Sequence, residues 1–319
     1  MDTASRWHFA DRAQARFANE SEFPLRLKAL RWVGRQTWLP RGQHRLLRLI
    51  APSESIPHYF FEVPFFGHKY RGDLANHTDW LVFCYGAAPS CELFLLREVA
   101  AAIRQQRSGP VNFFDIGANV GHHSLFMARH ADQVFAFEPL PELCGLIREK
   151  ISLNQLDNIQ LHAVGLGSKE DTLKFFPGLG SNSGMGSFLV HDNVDAGSQL
   201  ELPVKAGDPY FEDQRLPRID IMKVDVEGFE PFAFRGLAHR IASDRPVILT
   251  ELTEWSRQGF GTEADFRAHF YPDARMAAVA GRHGCNFHLA AFDYASSAEV
   301  LIVPPELAGI LQQNSSRHA

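Results

Sequence analysis

The chain has 319 residues, 45% hydrophobic and 22% charged, which suits one large domain with additions or two small ones and gives an ample core without covalent staples. Its net charge of −5 argues against general nucleic-acid binding, and no apolar run approaches the ~18 residues of a membrane span. Four scattered cysteines (Cys84, Cys91, Cys144, Cys285) without metal-type pairing, and an N-terminus without a signal-peptide core, make a soluble cytoplasmic protein the expectation.

The charge is uneven. Residues 1–50 hold ten Lys or Arg against four Asp or Glu, so +6, and the remainder carries −5 − 6 = −11. Residues 1–58 read as a basic helical extension. Its segment 24–50 mixes Leu, Trp and Arg and is broken at Gly34 and at Pro40-Arg41-Gly42. One reading is peripheral contact between residues 1–50 and an anionic membrane or a partner. The other is a helix whose apolar side packs on its own domain or on a second subunit, as in a homo-oligomer. The interrupted, uneven stripe favours packing.

Residues 59–105 read as antiparallel β structure and a lead-in helix. FFEVPFF, HKYRGD and WLVFCYG give the strands, with turns at Gly67 and Asp73. Segment 90–106 gives the helix, with Leu93, Leu96, Val99 and Ile103 on one face and Ser90 as N-cap.

Residues 106–304 alternate strand and helix. Strand 111–116 leads to helix 122–130, strand 134–138 to helix 141–154, and strand 159–164 ends at Gly165. After strands at 171–176 and 199–204, separated by a Gly/Ser-rich loop at 177–187, the pattern resumes. Strand 219–225, helix 229–242, strand 247–252 and helix 262–270 follow. This implies a parallel sheet with helices on both faces. Segments 285–292 and 298–304 read as two strands joined through Asp293–Ser297, a link so short that it requires antiparallel pairing. Residues 305–319 form a polar tail.

The chemistry centres on Val111–Gly121, VNFFDIGANVG. A buried strand runs into a glycine-bearing turn that opens a helix, the arrangement of a nucleotide site in an open α/β sheet. A dinucleotide fingerprint fails here, because Asn119 and His122 stand where G-x-G-x-x-G needs glycine. That counts against a nicotinamide-dependent oxidoreductase. What stands is D-x-G-x-N-x-G: Asp115, Gly117, Asn119 and Gly121. An acidic partner for ribose hydroxyls belongs about 20 residues on. Glu138 meets this, 138 − 115 = 23 residues after Asp115.

The motifs DIGANVG, FAFEP, SNSGMGSF, IMKVDVEGFE and VILTEL, in that order over about residues 88–304, resemble the FkbM family of class I S-adenosylmethionine-dependent methyltransferases. The resemblance implies an α/β fold: a Rossmann-like, mostly parallel sheet with an antiparallel terminal hairpin, behind an N-terminal helical/β extension. It also implies transfer of a methyl group from S-adenosylmethionine to a hydroxyl on a sugar, glycan or other natural product. His122-His123 departs from the family, standing where many relatives carry an aromatic residue.

On this reading Asp115, Gly117, Asn119 and Gly121 form the turn under the cofactor, and Glu138 accepts from the ribose. Val164, with Gly165, meets the adenine, and Glu92 approaches from the lead-in helix. Asp225, Glu227 and Glu251 stand at strand ends as base, hydroxyl clamp or metal ligands, and Lys223 pairs with one of them or reaches the sheet edge. His122 and His123 are further candidates for base. Oxygen ligands would suit magnesium or calcium, though the sequence has no dedicated metal motif. The loop at 178–187 suggests a lid. The competing function is a non-catalytic, membrane- or partner-binding module on the same fold. The acidic residues at 138 and 225 count against it.

Overall fold

The computed structural model describes residues 12, 15–36, 45, 47, 58–87, 90–178, 186–281 and 287–310. Cys285, most of the Gly/Ser-rich loop, much of the basic extension and the end of the tail lie outside these.

Helix α1, Leu25–Gly34, buries Leu27, Leu30 and the stem of Arg31. Arg31 donates to Phe83 O at 2.9 Å and to Glu20 at 2.6 Å. The helix thus packs on its own domain, while Leu25 and Trp32 stay exposed. Strands β1, Phe60–Phe65, and β2, His68–Asp73, pair antiparallel. Phe66 and Gly67 both have positive φ, as a two-residue hairpin turn that follows strand twist demands.

WLVFCYG does not form the expected strand. His77–Tyr85 is helix α2, with the Asn76 side chain accepting from Asp79 N and Gly86 closing the far end in the left-handed region. The two caps and burial on several sides outweigh the β preference of the run. Helix α3 spans Ser90–Gln106.

Among the described residues the central sheet has eight strands. Strand β3 is Asn112–Ile116, β4 is Gln133–Phe137 and β5 is Ile159–His162. After an excursion come β9, Ile221–Val224, and β10, Val247–Glu251. Then follow β11, Arg275–Gly281, β12, Phe287–Ala291, and β13, Glu299–Val303. Their order is β12-β11-β13-β10-β9-β3-β4-β5. The five strands from β10 to β5 run parallel. Alternate residues of β3 feed opposite faces: Phe113 joins the apolar cluster shared with α3 and the β1–β2 hairpin, and Phe114 joins the other. A strand buried on both faces reads as a near-continuous apolar run.

The terminal antiparallel unit differs in pairing from the expectation. Residues 287–291 do not pair with 299–303. They pair with β11, and β13 lies between β10 and β11. The hairpin is therefore β11–β12. Its first strand, RMAAVAG, is alanine-rich and carries little β signal, which is why it escaped the reading.

Helix α4, His122–Met127, follows β3, and α5, Pro141–Asn154, follows β4. Strands β6, Gly165–Gly167, β7, Asp171–Phe175, and β8, Leu200–Ala206, form a small second sheet in the order β6-β8-β7. Helix α6 is Gly207–Asp213. The expected helix 229–242 is two: α7, Glu230–Gly236, and α8, Ala238–Asp244. They break at Gly236, where an added Cβ would lie 2.0 Å from Gly167 O. Helices α9, Glu254–Phe260, and α10, Glu263–Arg267, precede β11. Among the described residues no helix is long and apolar enough to cross a membrane.

Candidate active site

From β3 the chain moves outward through β4 to β5, then returns to β9 on the other side of β3. Ligands of open α/β sheets bind at such a reversal, outside the carboxyl ends of the strands. A cleft lies there, enclosing about 660 Å³ of empty space with its open mouth counted. It is lined by Gly117 and Asn119 after β3, Glu138 after β4, Val164 after β5, and Asp225 and Glu227 after β9. Phe137, Phe175 and Phe188 supply apolar walls.

Gly117 has φ +83°, and a Cβ there would sit 1.9 Å from Asp225 O. Only glycine lets the β3 and β9 turns meet this closely. Gly121 starts α4 with φ +79°, and a Cβ would press on Ile147 at 2.8 Å; it shapes the turn without lining the cleft. Asn119 also has positive φ, and its Oδ1 is buried without a partner.

Glu138 holds the turn from the next strand. Its Oε2 accepts from Asn119 N at 2.9 Å and its Oε1 from Leu140 N at 3.0 Å. Burial pushes its carboxyl up to about 7, against the pull of those two amides. Asp115 is wholly buried behind the turn. One oxygen accepts from Ser124 Oγ at 2.6 Å and the other, Oδ1, is buried without a partner. Burial raises it to about 6.

Lys223 is the charge at the centre. It stands on β9 beside Asp115 on β3, and its Nζ lies 2.8 Å from Asp225 Oδ2. Burial would lower its pKa, but Asp225, Asp115 and Glu92 together outweigh burial and keep it charged. Burial acts to raise Asp225 in turn, and Lys223 holds it below the usual carboxylate range.

Around this pair the acids converge. Asp225, Glu227 and Glu251 each place an oxygen within 4.8 Å of the others. Burial, then Asp225, pushes Glu227 and Glu251 up to about 9 each. Glu251 faces Glu299 across the β10–β13 ladder. Glu299 shares a hydrogen bond with Glu92 of α3, and two carboxyl groups so joined hold a proton between them. Burial, and next the Glu92 charge, keeps Glu299 well above the normal range. Glu92 Oε2 also lies 3.1 Å from His123 Nε2, whose pKa burial drives far down, so the ring is neutral.

Gly117 and Asn119 of the glycine turn, Glu138, Val164, Asp225 and Glu227 therefore share one cleft. Glu251 does not line it, but places an oxygen within 4.8 Å of Asp225 and Glu227, which do. Asp115, Glu92 and His122 are buried behind it: His122 packs on His123 at 4.1 Å between ring centres and does not line the cleft. Sequence reasoning missed Glu299 and Glu230. Glu299 opens a strand whose neighbour no local pattern reveals. Glu230, in the first turn of α7, is fully buried, with Oε1 accepting from Val226 N and Gly228 N.

A parallel sheet reversing beside β3, an antiparallel end with β13 inserted, and acids at the tips of β4 and β9 define a Rossmann-like class I methyltransferase fold. A family model, the methyltransferase FkbM domain, matches residues 115–277, just over half of the chain. The protein belongs to that family. Methyltransferase 1 of Beauveria bassiana is 28% identical over 141 residues, covering 39% of this chain and 57% of that one. The hexuronic acid methyltransferase AglP of Haloferax volcanii is 29% identical over 136 residues, covering 43% and 54%. The match thus spans little more than half the length of these relatives. A crystal structure of a methyltransferase FkbM from Methylobacillus flagellatus superposes with a TM-score of 0.40 at 14% identity, covering 60% of this chain and 43% of that one.

Proposed function

We propose that this protein transfers a methyl group from S-adenosylmethionine to a hydroxyl of a sugar or related natural product. The observation that carries the reading is the cleft at the β3–β9 reversal. Its residues fit the donor: the glycine cradle at Gly117, the unpartnered buried oxygen Asn119 Oδ1, and the Glu138 carboxylate. Each Glu138 oxygen has spent one lone pair on a backbone amide and keeps another for a ribose hydroxyl. Val164 and the phenylalanine walls suit a flat purine. Asp225, kept ionised by Lys223, lines the cleft and suits a cationic sulfonium.

The donor supplies an electrophilic methyl carbon. The bond from sulfur to that carbon breaks as the bond from the acceptor oxygen forms, leaving S-adenosylhomocysteine. The residues must align the acceptor at ~3–3.5 Å and take its proton. As the O–C bond forms, the hydroxyl becomes strongly acidic, so even Asp225, ionised by Lys223, serves as acceptor. An indole lies beside this point: a Cβ on Gly228 would sit 3.0 Å from Trp255 Cβ, and Trp255 stacks on His191 at 3.9 Å. Such a platform suits the apolar face of a sugar ring, and AglP, a relative, is named for a sugar acid.

Isothermal titration with S-adenosylhomocysteine tests the reading. The folded chain should bind it, and Glu138→Ala should bind at least tenfold more weakly. No heat from folded native protein would refute the proposal; equal affinity in Glu138→Ala would refute the ribose assignment.

A further inference from the structure

Helix α1 faces two ways. Its inner face, Leu27, Leu30, Arg31 and Gly34, is buried against the domain. The outer face of an ordinary surface helix is polar. Here it carries Leu25, Ala29 and Trp32, spaced four and three residues apart and so in one row. Leu25 is 85% exposed and Trp32 60%. Among the described residues only four large apolar side chains are exposed, and two of them share this row.

The charge around the row is of one sign. Arg26 and Lys28 stand exposed on its two sides and Arg35 just past the helix end, and α1 contains no acid. Two acids precede the helix, and both are engaged: Glu20 by Arg31 at 2.6 Å, and Glu22 by Arg16. Among the described residues Arg26, Lys28 and Arg35 form no ion pair. The ten Lys or Arg of residues 1–50, against four acids, give the surrounding sequence the same sign.

We propose that the outer face of α1 docks on an anionic phospholipid bilayer. Leu25, Ala29 and Trp32 enter the headgroup region, and Arg26, Lys28 and Arg35 meet lipid phosphates and carboxylates. An indole suits that depth, because its ring is apolar and its N–H finds a polar partner at the boundary. Three apolar side chains bury too little to hold the chain on neutral lipid, so the cations supply the rest. A second copy of the chain is the poorer occupant: a two-fold contact brings a face whose charges are all positive against itself. The docking is independent of the methyl-transfer reading, since none of these residues lines the cleft.

The test sediments the full chain with vesicles of phosphatidylcholine alone and of phosphatidylcholine mixed with phosphatidylserine. The native chain should bind the mixed vesicles roughly tenfold or more tightly than the neutral ones, and high salt should weaken that binding. Leu25→Ser with Trp32→Ser keeps every cation, yet should bind mixed vesicles roughly fivefold or more weakly. Arg26→Gln with Lys28→Gln should bind them little better than neutral ones. All four side chains are exposed, so both variants should melt where the native chain does. Tryptophan emission should move to the blue on mixed vesicles, and should not in Trp32→Phe. No binding to mixed vesicles, or equal binding to neutral ones, overturns the proposal. Undiminished binding by the double serine variant overturns the assignment to this face. Light scattering that finds a dimer of the native chain and a monomer of that variant gives the face to a second copy. Tighter binding to soluble poly-glutamate than to mixed vesicles, lost in the same variant, gives it to an acidic protein. Either result overturns the lipid.

Discussion

Glu138 ties the glycine turn to the tip of β4 through two backbone amides, and burial keeps its carboxyl near 7. A ribose hydroxyl donates to the ionised form, so a proton competes with the ligand. Affinity for S-adenosylhomocysteine should rise with pH through 7 and level off above. For one competing proton, the loss between pH 7.5 and 5.5 is roughly 25-fold. Calorimetry across that range checks it, and Glu138→Gln should be nearly flat. Asp115, Glu138 and Asp225 were readable as site acids because each ends a short apolar run at a motif spacing. Lys223 was a weaker candidate, and Glu299 none, because their partners stand on neighbouring strands. The contact of Glu299 with Glu92 depends on register between β10 and β13 and on how α3 crosses the sheet.

At the scale of elements, α2 shows where local reading fails. Its residues have strand-like composition, yet Asn76 and Gly86 close a helix around them. Trp80, Phe83 and Cys84 are fully buried, so the run is apolar on more than one side and shows no clear period. Asn76→Ala removes the acceptor for Asp79 N and should cost about 1 kcal/mol, read as a lower urea midpoint with unchanged slope. The helix after β4 was legible from its apolar positions at helical spacing, and the helix after β3, buried on every side, from the clean strand and glycine turn that precede it. The divided helix at 230–244 was not, because Gly236 breaks it for a reason of packing against Gly167, far away in sequence.

Across the whole molecule, buried titratable groups set how stability depends on pH. Glu92, Glu138 and Glu230 are each raised to about 7, with burial the largest cause. A carboxyl raised on folding stabilises fully below its unfolded pKa, and that contribution is lost as pH climbs through the folded value. His123, His130 and His162 are lowered by burial, which weakens the fold in acid and ceases to matter above their unfolded value of ~6.5. Above about pH 7.5 the histidines are neutral in both states, while Glu227 and Glu251, raised to about 9, still hold protons that the unfolded chain has lost. The ligand-free protein should therefore lose stability as pH rises from about 7.5 to 9, checked by urea unfolding at fixed salt.

By itself the sequence determined the α/β class, the glycine turn after β3, the acids at 115, 138 and 225, and family membership. These are local: a strand, its turn and the first helical residues are neighbours along the chain, and their spacing survives in the text. The tertiary structure decided that β13 inserts beside β10, that Glu251 therefore faces Glu299, and that Lys223 stands among Asp225, Asp115 and Glu92. Pairing between distant strands depends on total packing and register, and neither is written in any one segment.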